Sequence, residues 1–245
     1  GGCAGNTGGE TVQSESNLTV ESNTTEGSTT VAEVSSETQE GEATYGGSIV
    51  VGIQNDLDSL DPHLAGSAGT SEVLFNIFEG LVKPNSEGEL IPAVASDYKI
   101  SEDGMCYTFT LRDGVTFHNG EPVTIEDVIY SIKRCAGMLE DQTEPLVSAY
   151  SVIAEINTLD EKTIELKLSE ADTELIGYLT EAILPKEYEN QASAPIGCGP
   201  FQFVSYAPQQ SFVMKRFEHY WGERPYLDQV EFRIVANTDS AMMEL

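Results

Sequence analysis

Asp103-Gly-Met-Cys-Tyr-Thr-Phe-Thr-Leu-Arg-Asp-Gly-Val-Thr-Phe-His-Asn-Gly-Glu-Pro-Val-Thr-Ile-Glu-Asp-Val-Ile-Tyr-Ser-Ile-Lys-Arg134 is the stretch on which the reading of this chain turns. Tyr107, Phe109 and Leu111 alternate with Cys106, Thr108 and Thr110, a period of two that predicts a strand with one buried, aromatic-rich face. Arg112-Asp-Gly114 turns the chain, and Val115-Thr-Phe117 resumes the alternation. Pro122 and Thr124 announce a helix. Thr124 is a good N-cap, Asp127 stands three residues on as in a capping box, and Val123 with Val128 can close a hydrophobic staple. Val128, Ile129, Ile132, Cys135, Ala136 and Leu139 form its apolar stripe.

Outward from this block the chain alternates between short strands and helices. Gly47–Ile53 is a β-branched apolar run that predicts a buried strand, and Asn55–His63 carries turn chemistry throughout. Val73, Leu74, Ile77, Phe78 and Leu81 recur at helical spacing, predicting a helix over 70–81 that Lys83-Pro-Asn-Ser-Glu-Gly88 breaks. Thr163–Leu168 alternates with Ile164, Leu166 and Leu168 inward, and a helical stretch is expected over 172–182. Gly197-Cys-Gly-Pro200 is a tight loop, followed by strands at Phe201–Tyr206, Ser211–Arg216 and Val230–Val235. There is no internal repeat, and no regular βαβ alternation. The expected class is α/β in the mixed, α+β sense.

Residues 1–45 read as a separate segment of Ser, Thr, Gly and Glu, with eight glutamates and no Lys or Arg. Such a composition buries too little apolar surface to offset its ordering entropy, so a disordered tether is expected there. Removing those eight acids from a net charge of -29 leaves -21 on the remainder. That field repels nucleic acid and anionic headgroups. The start Gly1-Gly2-Cys3-Ala4-Gly5 is similar to the end of a bacterial lipoprotein cleavage site, which makes Cys3 the expected lipidation site. Cys106, Cys135 and Cys198 are odd in number and irregularly spaced; one bridge or three thiols both fit.

Catalytic and metal chemistry find little support. Asp56, Asp58 and Asp61 fail the calcium-loop pattern and read as turn and cap residues. His63, His118 and His219 are isolated, and no metal or cofactor is expected. Cys198 with His118 could form a thiol nucleophile and base, but no third group is suggested. Tyr220 and Trp221 can either pack a turn or face a ligand.

Several further segments, taken in order, carry a resemblance. They are Leu60-Asp-Pro-His63, Ile77-Phe-Glu-Gly-Leu-Val82, Leu90-Ile-Pro-Ala-Val-Ala-Ser96, the opening block, Ile183-Leu-Pro-Lys186, Ile196-Gly-Cys-Gly-Pro-Phe201 and Tyr220–Arg233. Together they resemble the extracytoplasmic peptide/nickel-binding proteins of ABC importers, over almost everything from Gly46 onward. The resemblance implies a periplasmic-binding-protein-like lobe formed by 46–66 and 183–245, with 67–182 inserted as a second lobe. A third lobe, which in the family encloses the ligand against the first, is expected beyond this chain.

The same resemblance implies a non-enzymatic, monomeric receptor, lipid-anchored outside the cytoplasmic membrane. It would hand short peptides or another small solute to a membrane permease. The ligand-lining residues expected on the first lobe are Gly66, Ser67, Ala68 and Gly69 in one loop and Cys198, Gly199 and Pro200 in another. Small residues there let an extended peptide approach the backbone. Position 198 departs from the Thr, Ser or Asn common in that motif. A surface peptide hydrolase and an adhesion module are the alternatives from other classes.

Overall fold

A computed structural model describes residues 44–235, which include all but the first 43 residues of the expected tether; Cys3 lies outside the described residues. One four-stranded sheet has the order β1 (Ser48–Ile53), β10 (Gln229–Ile234), β9 (Ser211–Arg216), β8 (Phe201–Ala207), with β1 parallel to β10 and the other pairs antiparallel. A second, wholly antiparallel, has the order β4 (Ala95–Ile100), β5 (Cys106–Leu111), β7 (Thr163–Leu168), β6 (Ile153–Asp160). A small hairpin joins β2 (Val82–Pro84) to β3 (Leu90–Pro92). The helices are α1 (Ala68–Leu74) and α2 (Ile125–Ala136), with short 3-10 turns at Ser148–Val152 and Leu175–Tyr178. No described helix is long and apolar enough to cross a membrane.

The opening block folds as its chemistry dictates. β5 lies between β4 and β7, and the expected inward residues Tyr107, Phe109 and Leu111 are buried. Ile164, Leu166 and Leu168 of β7 are buried beside them. The Thr124 hydroxyl accepts the Asp127 N–H at 3.4 Å, and Asp127 Oδ2 accepts the Thr124 N–H at 2.8 Å, completing the capping box. Val123 and Val128 are both buried, and Gly137 ends α2 at φ 74° in the left-handed region that favours glycine. Asp127 has a further task, because its Oδ1 accepts the Lys186 N–H at 2.8 Å.

Three expectations need correction. The helix expected over 70–81 ends at Leu74, although Val73, Leu74, Ile77, Phe78 and Leu81 are all buried. Asn76 Nδ2 donates to the Glu72 and Val73 carbonyls, and the Asn76 and Ile77 carbonyls accept from Phe201 and Gly199. Ile77 and Phe78 still donate to the Leu74 carbonyl, but the Asn76 and Ile77 carbonyls are committed to a tertiary partner, so the turn does not continue as helix. The helix expected over 172–182 shrinks to one 3-10 turn capped by Asp172, whose carboxylate accepts the Glu174 and Leu175 N–H groups. Beyond it, Leu179 pairs with Val82 and Ile183 with Glu79. Finally, β1 is an edge strand with Ile49 and Val50 exposed, not a buried one.

Buried side chains form two clusters. One lies between α2 and the β4-β5-β7-β6 sheet and extends to Leu81, Leu179, Ile183 and Cys198. The other joins α1, Leu57, Leu60, Ile77 and Phe78 to the sheet of β1, β8, β9 and β10. Between them stands Glu79, 5% exposed. Its carboxylate accepts Tyr220 Oη–H at 2.5 Å and Trp221 Nε1–H at 2.6 Å, with Lys83 Nζ at 2.9 Å. The Arg112 guanidinium lies 3.9 Å from the Trp221 ring centroid. Tyr220 and Trp221 thus pack against the interior.

Two stability outcomes follow. Glu79→Gln leaves two donors and a cation short of a charged acceptor and should cost about 2–3 kcal/mol in urea unfolding. Thr124→Ala should cost about 1 kcal/mol while Thr124→Ser keeps most of the cap. Unfolding midpoints unchanged in Glu79→Gln would show that the carboxylate does not brace the two clusters.

Candidate functional site

An open cleft of about 360 Å³ lies between α1, the β2–β3 hairpin and the 177–182 segment. Its position follows from how α1 is held. Ser67 caps the helix, its hydroxyl accepting the Thr70 N–H at 3.2 Å, and Asp58 accepts the Gly66 N–H at 2.7 Å. The Thr70 hydroxyl in turn accepts the Asp58 N–H at 3.0 Å. At the other end, the Ile77 carbonyl accepts the Gly199 N–H at 2.9 Å. The helix so fixed presents Ser71, Leu74 and Phe75 to the cleft, facing Leu90 and Pro84 of the hairpin.

The floor carries Glu181 and Ala182. Burial pushes the Glu181 carboxyl up from 4.5 to about 7. Beside it, His63 and Cys135 place ligand atoms within 4.8 Å of the Glu181 carboxylate and of one another. These residue types could hold a soft divalent cation, but the histidine is already committed. His63 Nε2 bonds the Ala182 carbonyl at 2.8 Å, and its Nδ1 lies 2.9 Å from Arg134 Nη1. An arginine cannot accept, so Nδ1 accepts and Nε2 carries the proton. Arg134 is itself held by Asp61 through two bonds, at 2.9 and 2.6 Å. Burial, aided by the Arg134 charge, lowers His63 to about 4, and burial raises the Cys135 thiol well above its ordinary range. A metal would have to break both histidine bonds beside a fixed guanidinium, so the arrangement is a poor fit for one.

The residues expected to line a ligand fall at the two ends of α1. Gly66, Ser67, Ala68 and Gly69 are exposed; Cys198 and Gly199 are buried, and Pro200 is half-buried. None of the seven lines the cleft; Ala65 and Ser71, which flank the first loop, do. The two loops also differ in why they are small. A Cβ on Gly199 would lie 2.7 Å from the Ile77 carbonyl, and one on Gly197 would lie 2.3 Å from the same oxygen. Packing therefore demands glycine there. A Cβ on Gly69 would meet nothing, and one on Gly66 only Asp58 Oδ2 at 3.4 Å, and neither residue has a positive φ. Cys198 is free and buried, and burial raises its thiol well above the ordinary range. His118 does not serve as its base: Nε2 bonds the Gly199 carbonyl at 3.0 Å, and Nδ1 accepts the Gly197 N–H at 3.3 Å. The thiol-nucleophile arrangement is not built. Cys135 is also free.

Sequence reasoning missed the cleft residues Phe75, Leu90 and Glu181. Phe75 and Leu90 read as ordinary apolar positions, and Glu181 is one acid among many in an acidic chain.

The groups described set a pH profile. Burial lowers both His63 and His118 from 6.5 to about 4. Between those values the unfolded chain binds more protons, so the stability they lend is full above pH 6.5 and is lost as pH falls towards 4. Glu181 acts oppositely: the folded state binds more protons between 4.5 and about 7, so its contribution is lost as pH rises. With two histidines against one glutamate, urea midpoints should rise from pH 4 to 6.5, and His118→Gln should flatten that rise. A falling profile over this window would contradict two neutral, buried histidines.

Comparison with known proteins bears on this geometry. The family model described as "Bacterial extracellular solute-binding proteins, family 5 Middle" matches residues 89–245. The nickel-binding periplasmic protein of Escherichia coli is 30% identical over 192 residues, covering 72% of this chain and 35% of the relative. Among solved structures, the periplasmic binding protein DppA of Helicobacter pylori, in complex with the peptide STSA, superposes with a TM-score of 0.73 at 27% identity. That match covers 83% of this chain and 45% of DppA. AgaA of A. tumefaciens R10, in complex with agropinic acid, also gives 0.73, at 29% identity over 81% of this chain and 42% of AgaA. The mixed α/β fold is thus shared with periplasmic binding proteins. The chain spans less than half the length of each of these relatives.

Proposed function

This chain belongs to the bacterial extracellular solute-binding proteins of family 5, and from that premise we propose that it is part of the receptor of an ABC importer, capturing a short peptide or a related small solute outside the cell. The observation that carries the reading is the open cleft of about 360 Å³ against α1. Its volume lies in the range of small-molecule sites, about 300–1,000 Å³, and its lining mixes apolar side chains with Ser71, Thr180 and Glu181. The described lining holds no histidine, cysteine or lysine. Capture of a small solute is the function such a surface supports.

The exposed Gly66–Gly69 loop is assigned to backbone contact with the solute, since neither glycine there is required by packing. The Cys198–Pro200 loop is assigned a supporting place behind that wall, since Cys198 and Gly199 are buried and the Gly199 N–H and carbonyl are taken by Ile77 and His118. The division into lobes, 46–66 with 183–245 and 67–182, is kept as part of the reading, although Val73 to Phe78 and Ala182 pack with the sheet of β1 and β10, and Ile183 and Cys198 with the other cluster. A further lobe beyond this chain closes over the solute. Lipidation at Cys3, a monomeric state and delivery to a permease complete the reading, and the two liganded relatives make peptides and small acids the leading solute classes.

Native mass spectrometry of the full-length protein purified from cells should show a co-purified small molecule that denaturation releases. Supplied peptide should be recovered intact after incubation, and the 245-residue chain should bind it more weakly than the full-length protein. Turnover of the peptide would instead favour a hydrolase, and binding to host polymer with no small-molecule ligand would favour an adhesion module.

A further inference from the structure

Half-buried Glu181 stands apart from the buried carboxylates described. Asp61 is paired with Arg134, Glu79 with Lys83, Tyr220 and Trp221, and Asp127 with the Thr124 and Lys186 N–H groups. Glu165 lies 3.9 Å from Lys167 Nζ. The Glu181 carboxylate has no hydrogen-bond or ion-pair partner among the described residues. Glu181 nevertheless lines the cleft together with Leu74, Phe75, Phe78 and Leu90, where no described lining residue is basic. A half-buried carboxylate with no protein partner, set among apolar side chains, is a candidate to meet a charge that a ligand supplies.

We propose that this cleft is the subsite that selects the solute, and that it takes a flexible apolar chain ending in a protonated nitrogen, of the lysine type, with Glu181 reading the charge. The inference rests on the solute-capture reading above and names its substrate class. The apolar walls receive the methylenes, and the ammonium group meets the carboxylate at the floor. A neutral chain of the same length gains the walls alone, and an acidic one meets repulsion. The groups that face Glu181 do not supply the charge themselves. His63 is neutral, with its ring nitrogens engaged by Arg134 and Ala182. The thiol of Cys135 on α2 and the phenol of Tyr150 are both pushed up by burial and stay protonated, and the Arg134 guanidinium is taken by Asp61.

Protonation of Glu181 competes with the cation. With its carboxyl near 7, capture of the ammonium group weakens about thirtyfold between about pH 8 and about pH 5.5. The probes are trialanine peptides in which each position in turn is lysine, norleucine or glutamate, titrated calorimetrically into the full-length protein. At one position lysine should bind at least about tenfold tighter than norleucine near pH 8, and glutamate weakest. That preference should fade near pH 5.5 and collapse towards unity in Glu181→Gln. The amide is nearly isosteric with the protonated acid, and a thermal melt confirms folding. Phe75→Ala on the cleft wall should weaken lysine and norleucine peptides together and keep their ratio. Equal binding of lysine and norleucine at every position, or a preference that survives Glu181→Gln, overturns the inference while peptide capture stands. No binding of any probe overturns the peptide form of the capture reading and this inference with it.

Discussion

The structure depends on a carboxylate placed where carboxylates are expensive. Glu79 sits between the two buried clusters and accepts from Tyr220, Trp221 and Lys83, residues that enter from different parts of the chain. Desolvating the charge is unfavourable alone and tolerable only with all partners in place. The site is therefore intolerant of partial assembly: the segment after β9 and the start of β2 must arrive together. Arg112 stacks on Trp221 and bonds the Ala93 carbonyl at 2.8 Å, carrying the same constraint to the end of β5. One acidic side chain thus ties the start of β2 to the loop between β9 and β10.

Around that point the packing is backbone on backbone. A Cβ on Gly80 would lie 2.6 Å from the Thr180 carbonyl carbon, and Gly197 and Gly199 press equally closely on Ile77. These contacts leave no room for side chains, so the 76–82 segment is gripped from two sides by 179–183 and by 197–201. The cleft inherits its shape from that grip. Phe78 and Leu74 form one wall because the chain after α1 cannot swing, and Glu181 lies on the floor because its neighbours Leu179 and Ile183 are tied to Val82 and Glu79.

What could be read in advance were features whose causes are local. The Thr124–Asp127 box, the alternation of Tyr107, Phe109 and Leu111, and the strands after Pro200 each declare themselves within a few residues. Where tertiary demand competed with local preference, periodicity misled. The apolar spacing from Val73 to Leu81 correctly marks burial but not helix, since Asn76 and Ile77 give their carbonyls to a loop more than a hundred residues away. β1 is apolar yet exposed, because apolar composition does not reveal a strand's place in its sheet. The edge strands β4 and β6 carry too many polar residues to alternate visibly. The site was legible only as far as the position of α1 and its flanking loops. Glu181 matters because it lacks a partner, and no sequence pattern displays the absence of one.

The pairing of β1 with β10 has a bearing on how the molecule comes into being. Ser48 lies opposite Gln229 and Ile53 opposite Ile234, so the first strand made waits for the last described one before it gains a neighbour. Contacts this distant in sequence are slow to form because a long loop must be closed first. Until then Ile49, Val50 and Val51 form a short apolar strand with free backbone groups on both sides, a template for wrong pairing. The second sheet, whose strands β4, β5, β6 and β7 lie within one continuous stretch, carries no such delay. Sequence separation alone therefore favours the second sheet forming ahead of the pairing of β1 with β10.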